Sequence, residues 1–228
     1  MNLYREIQPW GFTDYEITEG SYTTFQTKLQ KVEFITNPHF GRMLFLDGIL
    51  QSTTSDEHIY HEALVNAGMT NTSKSVLIAG GAEGGVAREV LKWPSVKIVE
   101  MVDWDDELVD HCFFKEQFNT SSFKDPRLSY LNENISKYCE ETTKKFDTIF
   151  LDLLDINTEE DLYQMQTILS HILNVCAKGR VTIVINIGRY KSHAAHLTPT
   201  IVQESEVIEI QVPSFQEPWY LLKLIYST

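Results

Sequence analysis

At 228 residues, 43% of them hydrophobic and 11% aromatic, the chain can hold one sizeable domain with a small appendage and is too apolar for global disorder. Its formal charge of −13 argues against nucleic-acid or anionic-membrane binding, both of which use basic surfaces, and suits a polycationic small molecule. No run approaches the roughly 18 apolar residues of a membrane span, and MNLYREIQPWGF has no apolar signal-peptide core.

Residues 1–50 read as short strands. Phe25–Ile35 alternates in the manner of a half-exposed strand. Asn37-Pro38-His39-Phe40-Gly41 is a turn into a strand at Arg42–Leu46, and Asp47-Gly48 signals a hairpin leading to Ile49-Leu50-Gln51. A small antiparallel sheet is expected. Asp56–Met69 then reads as a helix, with Ser55 or Asp56 as N-cap and Ile59, Ala63 and Leu64 facing inward. By composition alone His61 would be a surface histidine.

The stretch from Val76 to Asp105, VLIAGGAEGGVAREVLKWPSVKIVEMVDWD, organises the rest of the chain. An apolar run at Val76–Ala79 breaks into Gly80-Gly81-Ala82-Glu83-Gly84-Gly85. A helical pattern follows, and a second apolar run, Val96–Val102, ends in Asp103. Strand, glycine turn, helix, strand and acid is the layout of a nucleotide-binding βαβ unit. Gly80 and Gly81 let backbone approach a ligand, and Asp103 can accept ribose hydroxyl protons. A lone glycine-rich turn can be only a tight connection; the flanking strands and Asp103 favour a nucleoside site. The turn does not match the dinucleotide pattern G-x-G-x-x-G. Glu83 occupies the place an anion would take at a helix N-terminus. It suits a cation, such as a sulfonium nucleoside related to S-adenosylmethionine.

Residues 105–118 read as a helix, and Phe123–Arg127 as a turn into a strand at Leu128–Leu131. Ile135–Thr143 is helical, and Phe146–Leu151 is a strand ending in Asp152. Leu162–Cys176 is an amphipathic helix, Val181–Ile187 a core strand, and Gly188–Thr200 lacks strong periodicity. Ser205–Val212 and Trp219–Ile225 read as two final strands. Ligands of open α/β sheets bind outside the carboxyl ends of the strands, so Glu83, Asp103, Glu133 and Asp152 are expected at one crevice. Any one of them could instead cap a neighbouring helix.

Three separate stretches, LFLDGILQSTTSDEHIYHEAL (44–64), GGAEGGVAREVLKWPSV…VEMVDWD (80–105) and FDTIFLDLLD (146–155), closely resemble the spermidine synthases and related aminopropyltransferases. The resemblance implies an α/β, Rossmann-like fold of the S-adenosylmethionine-dependent methyltransferase type. A small N-terminal antiparallel β-domain (1–54) would precede a catalytic domain (55–228), cap the site and pair subunits into a homodimer. It implies transfer of the aminopropyl group of decarboxylated S-adenosylmethionine to a di- or polyamine such as putrescine. Methylthioadenosine would leave, with no permanently bound cofactor and no metal.

By the same resemblance, Tyr60 and His61 of the DExxYHE pattern face the substrates, and Gln26 and Gln51 contact the sulfonium nucleoside. Glu83 pairs with the donor's ammonium, and Glu133 lies near the adenine. Asp152, helped by Tyr60, takes the proton from the attacking amine, and Asp155 positions the acceptor. Phe215 falls near a substrate-loop tyrosine, without its hydroxyl. The segment after Asp155 lacks the proline and glycines usual in the family, which predicts an altered gate. The C-terminal third resembles the family least and predicts a compact version of the fold. Two alternatives stay open: a diverged methyltransferase-like enzyme, and a non-catalytic binder of a nucleoside or partner. Cys112, Cys139 and Cys176 are too widely spaced for a metal cluster or disulfide framework, which predicts a cytoplasmic protein.

Overall fold

Six short strands form from the first 53 residues: β1 (Leu3–Gln8), β2 (Gly11–Glu16), β3 (Thr23–Gln26), β4 (Lys31–Asn37), β5 (Gly41–Leu46) and β6 (Ile49–Thr53). The computed structural model describes residues 2–8, 11–116, 121–153 and 155–227. β1 and β2 make a hairpin, and β3 to β6 make a four-stranded antiparallel sheet in chain order. Phe34, Ile35, Met43 and Phe45 are fully buried in it.

The strand expected over Phe25–Ile35 is two strands. The hydroxyl of Thr27 accepts from the backbone N–H groups of Leu29 and Gln30, both at 3.1 Å, and turns the chain back on itself. A threonine closing a local turn offers the backbone an alternative to the ladder. Alternation of side chains could not register that turn.

The remaining elements are α1 (Glu57–Gly68), β7 (Ser75–Gly80), α2 (Gly85–Leu91), β8 (Ile98–Asp103), α3 (Asp106–His111), β9 (Leu128–Asn132), α4 (Ile135–Glu141), β10 (Thr148–Asp152), α5 (Glu159–Ile172), β11 (Arg180–Gly188), α6 (His193–His196), β12 (Glu204–Gln211) and β13 (Pro218–Ser227). Of the helix expected over 105–118, α3 is the first part; a π-helical turn, Cys112–Glu116, follows, and residues 117 and 118 lie outside the described residues. α5 begins earlier than its apolar stripe suggests. Thr158 and Asp161 form a reciprocal capping box, which satisfies two backbone N–H groups at the helix start.

β12, β13, β11, β10, β7, β8 and β9 lie side by side in that order. β7 pairs in parallel with β8 and β10, whereas β13 runs antiparallel to both β11 and β12. Successive side chains of β7 serve opposite layers, as the period of a strand requires. Val76 and Ile78 pack with α1 and α2, and Leu77 and Ala79 pack with α4 and α5. Burial on both faces explains why β7, β8 and β10 read as continuous apolar runs. From β7 the chain winds outward through β8 to β9; from β10 it winds the other way to β11. The crevice outside the carboxyl ends of β7 and β10 is thus the switch point where such sheets take ligands.

Candidate active site

A cavity of about 660 Å³ opens at that switch point. The glycine turn, the ends of β8 and β10, the start of α1 and the four-stranded sheet all reach it. Gly80 is obligatory for two reasons. Its φ is +84°, and a Cβ there would sit 2.0 Å from the carbonyl oxygen of Asp152. Gly85 serves another residue: a Cβ there would fall 2.3 Å from the His61 ring. The glycine opens the space in which that imidazole lies.

Tyr60, His61, Gly80, Gly81, Glu83, Asp103, Glu133, Asp152, Asp155, Gln51 and Phe215 all line the cavity. The hydroxyl of Tyr60 donates to Asp152. Burial, then the negative charge of Asp152, holds the Tyr60 pKa well above its ordinary value, so the phenol keeps its proton. Burial also raises the Asp152 pKa; the charge of His61 and the Tyr60 hydrogen bond pull it partly back. Asp155 is pushed up to about 6 by burial against the opposing charge of Arg189. Asp103 is pushed up to about 6 by burial and by Asp105, while backbone hydrogen bonds oppose.

His61 is 2% exposed, not the surface residue its composition suggests. Its Nδ1 lies 2.5 Å from Glu57 and its Nε2 lies 3.3 Å from Glu83. Burial pushes the imidazole pKa down, but hydrogen bonds to Glu57 and Glu83 and the charges of Glu83 and Asp152 outweigh it. The result is about 10. Among the described residues of the cavity wall, His61 is thus a cation set among carboxylates.

Two expected residues stand differently. Gln26 is exposed and lies outside the cavity, its amide donating to the carbonyl of Thr27. Gln30, beyond the unforeseen turn, lines the cavity instead and donates to Asp105 at 2.8 Å. Glu133 reaches the rim but is engaged by Lys137 at 2.6 Å. Leu154, between the two acids of the DLLD stretch, lies outside the described residues.

Sequence reasoning missed Asp105, Asn186 and Trp219. Asp105 caps α3 through Leu108 and accepts from Thr27 and Gln30, tying the four-stranded sheet to the crevice. An acid just before a helix was its available signal. Asn186 accepts from Trp219 at 2.8 Å, a pairing between strands distant in sequence that carries no local signature.

Fold and site together define a Rossmann-like α/β protein of the methyltransferase type with an acid-lined crevice at its switch point. A family model described as "Spermine/spermidine synthase domain" matches residues 57–222, and one described as "Spermidine synthase tetramerisation domain" matches residues 16–54. The chain belongs to the spermine/spermidine synthase family. It is similar to a protein of Saccharolobus solfataricus named polyamine aminopropyltransferase, at 39% identity over 146 residues, 62% of this chain and 48% of that one. A polyamine aminopropyltransferase of a Synechococcus species matches at 37% over 166 residues, 70% of this chain and 53% of that one. The matches span about half the length of these curated relatives.

Among solved structures, spermidine synthase of Thermotoga maritima superposes with a TM-score of 0.84 at 22% identity, covering 98% of this chain and 79% of that chain. A spermidine synthase solved in complex with the transition state analogue AdoDATO gives 0.87 at 21% identity, covering 98% and 80%. At such identities the likeness shows the fold. No helix among the described residues is long and apolar enough to cross a membrane.

Proposed function

We propose that the chain transfers the aminopropyl group of decarboxylated S-adenosylmethionine to a di- or polyamine such as putrescine, with release of methylthioadenosine. One observation carries the reading. Tyr60 and Asp152 are hydrogen-bonded inside a cavity that also presents Glu83, Asp103 and Asp155. Such a wall suits a donor bearing a sulfonium and an ammonium, and an acceptor bearing two or more ammonium groups.

The amine nitrogen would attack the methylene carbon bonded to sulfur, forming C–N as C–S breaks and the thioether leaves. An ammonium has no lone pair, so one acceptor proton must go first. Asp152 would take it, and its raised pKa makes it a better base than an exposed aspartate. Tyr60 would orient that carboxylate. Asp155 would hold the acceptor in line, which is positioning rather than proton chemistry. Asp103 would accept from the ribose hydroxyls, and Gly80 and Gly81 would let the backbone approach the nucleoside. Gln51 and Glu133 would contact the nucleoside from the two rims. Glu83 would pair with the donor's ammonium and reject the carboxylate of intact S-adenosylmethionine. Phe215, 6.2 Å from the Tyr60 ring centroid and 4.8 Å from that of Trp219, would give the acceptor's methylenes an apolar wall.

The proposal includes a 1–54 β-domain, a 55–228 catalytic domain and an assembly of at least a homodimer. The matched tetramerisation-domain model supports association, as do Leu3, Ile7 and Phe12, exposed on one face of the first hairpin. The three buried free thiols fit a reducing cytoplasm.

Methylthioadenosine release is the test, with putrescine, agmatine, cadaverine and spermidine offered separately. Release with one amine identifies the acceptor. Silence with all four, despite calorimetric binding of the donor, would overturn the proposed reaction.

A further inference from the structure

Glu57 and Arg88 are absent from the cavity wall, yet they lie one contact behind it. Arg88 donates to both carboxylate oxygens of Glu57, at 2.6 and 3.0 Å. Glu57 in turn meets the His61 Nδ1 at 2.5 Å, one helical turn along α1, and the His61 Nε2 faces Glu83 at 3.3 Å. The chain of contacts runs from α2, through α1, to the glycine turn. Of its members, His61 and Glu83 line the cavity, and Glu57 and Arg88 stand behind them.

We propose that Glu57 is a positioning residue: held by Arg88, it keeps His61 doubly donating, and His61 thereby fixes where Glu83 presents its carboxylate to the donor. The inference rests on the proposed role of the cavity as the donor site. A neutral imidazole bears one N–H and could serve only one of two carboxylates. An imidazolium serves both, and Gly85 leaves the ring a slot at its own α-carbon. The groups facing His61 are Glu57 on its own helix, Glu83 on the glycine turn and Asp152 at the end of β10, with Tyr60 adjacent. All but the protonated Tyr60 are acids. With Glu57 in place the ring holds its proton to about pH 10. Loss of the partner at 2.5 Å removes the largest of the raising contributions and leaves burial pushing the pKa down.

Glu57→Gln tests this, with Glu62→Gln as control. Glu62 is on the same helix, half exposed, with Lys92 3.9 Å away, and lies outside the cavity wall. The His61 ring resonances of E57Q, followed by NMR, should titrate about 1–3 pH units lower than in the unsubstituted protein, with E62Q unmoved. In turnover, the donor KM of E57Q should rise about tenfold with kcat held within a few-fold, and a new alkaline limb should follow the lowered His61 midpoint. A His61 midpoint that does not move overturns the proposal, as does a donor KM that stays constant while kcat falls. The NMR titration needs no substrate. It therefore still tests Glu57 if no amine supports turnover and the proposed reaction itself has failed.

Discussion

Two regions of the molecule each bury a histidine beside a glutamate, with opposite outcomes. In the crevice wall, His61 lies between Glu57 and Glu83 and is lifted to about pH 10. Where the four-stranded sheet meets α3, His111 stacks on Phe25 and Phe34, with centroids 4.3 and 5.2 Å away, and has Glu116 at 3.3 Å. Its pKa is lowered: burial leads and outweighs the hydrogen bond and charge of Glu116, with smaller lowering contributions from the charges of Lys115 and Arg42. Glu116 is already held by Arg42 at 2.6 and 2.7 Å. Burial pushes both rings toward neutrality. What differs is the number of carboxylates around each ring. Glu57, Glu83 and Asp152 surround His61, even though Glu57 is itself held by Arg88, whereas His111 has Glu116, already bound to Arg42, with Lys115 close by.

The largest effects are expected on the charged side. Asp152→Asn removes the proposed base, and methylthioadenosine release should fall about 10²–10⁴-fold while calorimetry still finds the donor bound; undiminished turnover would sink the assignment. Next comes His61→Phe, which strips Glu57 and Glu83 of their shared partner. Unpairing buried charge typically costs about 3–5 kcal/mol, readable as a lower urea midpoint at unchanged slope. Glu83→Gln should raise the donor KM about tenfold and narrow the preference for the decarboxylated donor over intact S-adenosylmethionine. Tighter binding of the intact form by the unsubstituted protein would contradict the role given to Glu83.

Asp103 and Asp155 sharpen the contrast through pH. Both sit at about 6, above the ordinary aspartate value, because burial penalises their charge. In the ligand-free protein the folded state therefore holds extra protons between about 4 and 6. Stability from these two groups rises as pH falls through 6 and is lost as pH climbs back. Catalysis should run the other way: kcat/KM for both substrates should drop below about pH 6 as the carboxylates that bind cations are neutralised. A pH–rate profile set against thermal melts checks both signs. The smallest effect belongs to the neutral histidine: His111→Phe keeps the stacking and should shift stability by less than about 1 kcal/mol, with turnover within about twofold.

The helix opening Asp56-Glu57-His58-Ile59-Tyr60-His61 shows how unevenly the site could be read from the sequence. Asp56 was legible as an N-cap, yet its side chain makes no cap; it accepts from Ser214, 158 residues away, and anchors the turn carrying Phe215. Tyr60 finds Asp152 across 92 residues. Resemblance placed both near substrates, while only the packed sheet says what each one holds. Gln26 and Gln30 make the same point at short range. The resemblance put Gln26 in the site, and beyond one threonine-closed turn it is Gln30 that lines the cavity.

Consecutive residues alone define the βαβ unit around Gly80, the acids after β7, β8 and β10, an antiparallel N-terminal sheet and the family. Those features are local: strand and helix periods, glycine at a left-handed turn and an acid at a strand's end are written in consecutive residues. The tertiary structure alone decided that His61 is buried and doubly paired, that Asp105 ties the N-terminal sheet to the crevice, and that Asp103 and Asp155 sit near pH 6. Glu57 lies one helical turn from His61 on its own helix, but burial and the pairing with Glu83 are set by neighbours that arrive from other elements, and no consecutive pattern encodes which neighbour that will be.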